Sequence, residues 1–106
     1  MAVDSAALKK CLRYMRLDDL DLTGDDLEDV SDLYEAAQEH LADAGIPVPA
    51  EGEPDKLYRR TVHALTLYYY DHRDAVGSAP DALRPSINTL KGRASVARAA
   101  DDYAAR

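Results

Sequence analysis

Residues 57–77 read LYRRTVHALTLYYYDHRDAVG, and the spacing of their apolar side chains decides the fold class. At 100° per residue, Leu57, Tyr58, Val62, Ala64, Leu65, Tyr68, Tyr69, Ala75 and Val76 fall within an arc of roughly 160°, wider than the stripe of an ordinary surface helix. The pattern predicts a central helix from about Asp55 to Val76, with Pro54 at its entry, the Asp55 charge at its positive end and Gly77 closing it. This is more apolar surface than so small a domain needs for its own core, which suggests a face made for another protein chain. On the far side of the same helix His63, Leu67 and Tyr70 lie together beside Arg59, Arg60 and Asp74. Tyrosine and arginine are enriched where binding energy concentrates, so these six residues form a candidate subunit interface.

Working outward, Ala7, Leu8, Cys11, Leu12 and Met15 recur at spacings of three and four. They predict a first helix capped by Asp4 or Ser5 and ending near Arg16. Thr23 stands where an N-cap belongs, followed by Asp25, Asp26, Glu28 and Asp29 in the first turns. Leu27, Val30, Leu33, Tyr34, Ala37, Leu41 and Ala44 then give a second helix of about twenty residues with a buried stripe, closed by Gly45. The segment IPVPAEGEP reads as a stiff connector, with Ile46 to Val48 the one place where a short strand could form. After Gly77, SAPDALRP reads as a turn, Ser86 to Lys91 as a short fourth helix, and Gly92 as its end. The expected fold is all-α: a small bundle of three main helices, a short fourth helix and a C-terminal tail. Residues 1–93 form the domain. Residues 94–106 have helical propensity but too few large apolar side chains to pack alone, and read as a tail that is mobile or orders on a partner.

With 106 residues the chain makes one domain, too small to enclose a deep active-site cavity. The formal net charge is −7, which argues against holding duplex nucleic acid, since phosphate contacts need clustered Lys and Arg. The charge is uneven. Residues 1–53 hold 14 carboxylates against 4 Lys or Arg, and residues 54–106 hold 6 against 9. That polarity suits head-to-tail association of identical subunits, or equally two halves that face each other within one monomer. No Lys or Arg occurs from Leu17 to Asp55, and on the second helix Glu28, Asp32, Glu35, Glu39 and Asp43 share an arc of about 80°. Like charges at that spacing are mildly destabilising, so the stripe is either a solvated face or a surface with an electrostatic purpose. The opening sequence lacks the basic start and apolar run of a signal peptide, and no stretch approaches the ~20 apolar residues of a membrane span. The expectation is a soluble protein made in the cytoplasm, with no membrane partner.

No catalytic grouping emerges. His63 and His72 are nine residues apart, on opposite faces of a helix, and cannot share a metal as an i, i+4 pair could. His72 falls in the apolar arc and reads as a partly buried ring. Asp71 and Asp74 around Arg73 read as an exposed charge cluster, and TGDD at Thr23 lacks the glycines and lysine of a phosphate loop. Cys11 has no partner for a disulfide and reads as a small core residue. Catalytic residues, cofactor and metal are all expected to be none.

The ordered set of segments resembles a known family. SAALKKCLRYMRLDD, LYEAAQEHLADAGI, LYRRTVHALTLYYYDHRDAVG and PSINTLKGR are similar, in this order, to the helices of the small head-tail connector, or head completion adaptor, proteins of long-tailed bacteriophages and prophages, also described as DNA packaging proteins. The likeness covers about residues 4–93; the Tyr68 to Tyr70 triplet and the segment after Gly92 depart from the pattern. The resemblance implies a structural subunit that forms a ring, commonly of twelve copies, on the portal protein of the head. Such a ring makes a DNA conduit to the next connector or tail completion protein. Its place would be the virion head-tail junction, after synthesis in the bacterial host cytoplasm, with DNA passing through without specific binding. The acidic stripe would then face the channel or dock onto a basic surface of the portal or a neighbour. The other reading is a small intracellular acidic regulator or inhibitor that binds one protein partner.

Overall fold

The computed structural model describes residues 5–17, 21–49 and 55–104. Four α-helices follow in order: α1 Ser5–Tyr14, α2 Gly24–Asp43, α3 Lys56–Asp71 and α4 Arg84–Ala104, with one-turn 3-10 segments at Arg73–Ala75 and Asp81–Leu83. There is no strand among the described residues, and Ile46 to Val48 is an irregular connector. The fold is all-α, and α3 is its centre, packed against α1, α2 and α4.

Local chemistry sets the ends of α2. The Thr23 hydroxyl accepts from the Asp26 N–H at 3.1 Å and the Asp26 carboxylate accepts from the Thr23 N–H at 3.2 Å. This reciprocal capping box satisfies two donors that the first turn cannot. At the other end Gly45 takes φ +89, while Ile46 N–H reaches the Leu41 carbonyl at 2.9 Å. This is a Schellman closure, and Ile46 is buried beside the helix it ends. α1 closes similarly with Arg16 at φ 61 and Leu17 N–H on the Leu12 carbonyl at 2.9 Å. Asp55 caps α3 by accepting from Tyr58 N–H at 2.9 Å. The proposed caps at the start of α1 lie at its edge: Asp4 is outside the described residues and Ser5 is the first helical residue.

The core joins Cys11 and Leu12 of α1, Met15 just after it, Val30, Leu33, Tyr34, Ala37 and Leu41 of α2, Tyr58, Val62, Leu65 and Tyr69 of α3, and Ile87 and Leu90 of α4. These are the predicted stripes of α1 and α2, with Leu27 and Ala44 packed partly buried at the margin. Burial pushes the Cys11 thiol up to about 11, as befits an inert core residue.

Three expectations need correction. α3 ends at Asp71, not Val76, because His72 leaves the helical region at φ −135 and ψ 77. Tertiary bonds hold the bent segment that follows: Tyr69 Oη donates to Ser78 O at 2.6 Å, His40 Nδ1 lies 2.8 Å from Gly77 O, and Arg73 reaches Asp29 of α2. Ala75 and Val76 therefore leave the apolar face, and Val76 is exposed. His72 is likewise exposed, stacked on Tyr68 with ring centroids 4.7 Å apart. Finally, Gly92 does not end the fourth helix. α4 runs unbroken to Ala104, since a helix-interior glycine costs only about 1 kcal/mol and the alanine- and arginine-rich run after it favours helix. The segment 94–104 is thus a helical extension. Its Val96 and Tyr103 are exposed, and Arg98 Nη1 donates to Gly45 O at the end of α2 at 3.2 Å.

Candidate functional site

The acidic stripe is on the surface. Glu28, Asp32, Glu39 and Asp43 are exposed along α2, and Glu35 between them is half-buried. Among the described residues the four exposed acids form no ion pair or side-chain hydrogen bond. Gln38, Ala42 and Val48 interrupt the charge, forming with Glu35 and Glu39 a shallow groove of about 190 Å³. Its walls are mostly apolar, and Val48 is 51 % exposed.

The six candidate interface residues of α3 do not form one open patch. His63 is only 6 % exposed, held between Tyr14 of α1 at 5.6 Å and Tyr34 of α2 at 6.1 Å between ring centroids. Leu67 and Tyr70 are half-buried against the core. The far side of α3 is therefore covered by the chain's own helices. Of the six, Arg60 and Asp74 are exposed, and Arg59 is half-buried. The predicted charge cluster at the end of α3 also resolves differently. Arg73 leaves Asp71 and Asp74 in solvent and makes a two-pronged contact with Asp29 of α2, at 2.9 and 2.6 Å. Its guanidinium stands 5.3 Å above the Tyr70 ring. The contact holds the Asp29 carboxyl below its ordinary range through the Arg73 hydrogen bond. Both side chains are about half exposed, so the pair fixes direction more than it adds stability, under about 1 kcal/mol.

A second charged face was not anticipated. α1 has no carboxylate between Ser5 and Leu17, and α3 has none between Lys56 and Tyr70. Packing these helices together brings Lys10 of α1 and Arg59 of α3 close to His63 and sets Arg60 beside Tyr14, which is 44 % exposed; Lys9 and Arg13 continue the charge along the exposed side of α1. None of these five cations has an ion pair or side-chain hydrogen bond among the described residues. Counting charge by halves of the chain hid this face, because the cations of α1 are sequence neighbours of the acidic segment. Counting it helix by helix exposes it.

His63 sits beneath this face. Burial lowers its pKa below the ordinary 6.5, helped by the nearby Arg59 and Lys10 charges, and its Nε2 has no hydrogen-bond partner. Below pH 6.5 the unfolded chain takes up a proton that the folded ring refuses. Stability is therefore full above about 6.5 and falls as the pH drops toward the folded value. His63→Leu is expected to flatten that slope in urea titrations just below pH 6.5. An unchanged slope would mean that the ring is solvated in solution.

Among the described residues no group of three or more His, Cys, Asp or Glu is placed to hold a metal ion, and no helix is long and apolar enough to cross a membrane. The fold and its surface thus define the class: a small all-α protein with two exposed faces of opposite charge. No protein-family model, curated protein or solved structure matches the chain.

Proposed function

We propose that this chain is a structural adaptor subunit that assembles head-to-tail into a ring at the head-tail junction of a bacteriophage, seated on the portal and leading DNA toward the tail. The observation that carries the reading is the charge polarity of one small subunit. An acidic face on α2 and a cationic face on α1 and α3 form a complementary pair of unlike surfaces. Unlike surfaces give heterologous contacts, which close into a ring when the rotation between copies divides a full turn. The ordered likeness of residues 4–93 to head completion adaptors supports the same role. The net charge of −7 suits a conduit that DNA crosses without being held.

Native mass spectrometry over a range of protein concentrations tests this. A closed species of many copies is the expected result. A fixed dimer, or a one-to-one complex with a single cellular protein, would instead favour the small acidic regulator. The gene is also expected to lie among portal, capsid and tail genes.

A further inference from the structure

We propose that the cationic face of α1 and α3 is the seat for the acidic face of α2 of a second copy, with Tyr14 entering the groove between Glu35 and Glu39. The inference rests on the ring reading and names its contact. The two faces match in chemistry. One presents Lys10, Arg13 and Arg60 around an exposed aromatic ring; the other presents Asp32 and Glu39 beside an apolar gap formed by Gln38, Ala42 and Val48. A tyrosine ringed by arginine and lysine is the composition of a binding hot spot, apolar at the centre and charged at the rim.

Charge also decides against the other pairings. Two α2 faces brought together would oppose acid to acid, and two α1 faces would oppose cation to cation, whereas like charges across an interface cost several kcal/mol. Only unlike faces remain, and an unlike contact repeats from copy to copy. A nucleic acid could also answer a cationic face. The chain's own net charge of −7 and the acidic face it carries favour the second copy.

The geometry further separates this contact from the core. Arg13, Arg60, Asp32 and Glu39 are all exposed, so changing their sign leaves the bundle intact. Tyr14 meets His63 in a tilted ring contact at 5.6 Å and is 44 % exposed to solvent. His63 thereby acts as the floor that holds Tyr14 outward.

The experiment uses the full chain in two double variants, Arg13→Glu with Arg60→Glu and Asp32→Lys with Glu39→Lys. Self-association is read by sedimentation velocity at low and high salt, and the helical circular dichroism melt is read alongside. Wild type is expected to associate more weakly as salt rises. Each variant alone should lose about tenfold or more in self-association with an unchanged melt. An equimolar mixture of the two should recover association, because each then meets a face of opposite sign. A variant that associates like wild type, or a mixture that fails to recover, overturns the contact. So does a monomeric wild type, or one whose cationic face binds a duplex DNA probe in preference to a second copy. The two readings fail separately. Rings that persist in both variants remove this contact and leave the ring, whereas paired variants that recover only a dimer keep the contact and remove the ring.

Discussion

Tyr69→Ala is expected to lower the unfolding free energy by about 3 to 5 kcal/mol, and Tyr69→Phe by about 1 kcal/mol, measured by urea denaturation. The ring of Tyr69 is fully buried near the C-terminal end of α3, within the common core of the bundle. Removing it opens a cavity that a packed core cannot collapse around. The hydroxyl does a different job. It donates to Ser78 O at 2.6 Å and so ties the bent chain after Asp71 back to the helix it left. Phenylalanine keeps the packing and frees that segment. For a domain near this size each kcal/mol moves the melting temperature by roughly 4 to 8 °C, so the alanine variant should melt well below the phenylalanine variant. Equal losses from both would mean that the ring is not packed as described.

The contrast between ring and hydroxyl marks where the sequence was legible. Periodicity located α1, α2 and α3, and the Thr23 and Gly45 boundaries of α2 were readable because their capping chemistry is local: a hydroxyl three residues before an acid, and a glycine after the last turn. The end of α3 was not readable, since His72 has no local reason to leave the helix. It leaves because Tyr69, His40 and Asp29 bind the following segment, Asp29 from 44 residues away through Arg73. Gly92 misled for the opposite reason. A glycine ends a helix when the chain beyond it has somewhere else to go, and here only helix formers follow.

The buried face of α3 is wider than its apolar residues alone indicate. Thr61, His63 and Thr66 are buried though their side chains are polar, and counting apolar residues alone passes over them. Their chemistry explains the tolerance in two of the three cases. Thr61 Oγ1 donates to Leu57 O at 2.8 Å and Thr66 Oγ1 to Val62 O at 2.7 Å, each satisfied within its own helix. His63 lies on the side of α3 where Leu67 and Tyr70 were assigned to a partner, and the Tyr14 ring of α1 and the Tyr34 ring of α2 enclose it. The acidic stripe fared better, because a helix surface without a single cation is visible in any projection. Its cationic counterpart is a tertiary property, made only when α1 is laid beside α3.

Leu67→Asp should therefore weaken the fold before it weakens any assembly, by about 2 kcal/mol, from lost apolar contact and a carboxylate placed against the core. Leu67 and Tyr70 are half-buried and packed on the core. Tyr70→Asp also removes the ring beneath Arg73, a contact of about 0.5 to 1 kcal/mol at an exposed site, and leaves Arg73 to Asp29 alone. The measurement that separates core from interface compares the thermal melt with self-association in the same samples. For Leu67→Asp and Tyr70→Asp the melt should fall, and association should fall only as far as the folded population does. For Arg13→Glu with Arg60→Glu the melt should hold while association is lost. If Leu67→Asp instead keeps the wild-type melt and abolishes association, the excess apolar surface of residues 57–77 belongs to a neighbouring copy after all, and α1 must swing away from α3 to expose it. That outcome would make α1 the element exchanged between copies. The same fall in the melt, by contrast, assigns the whole of that surface to the chain's own core and leaves assembly to the charged faces.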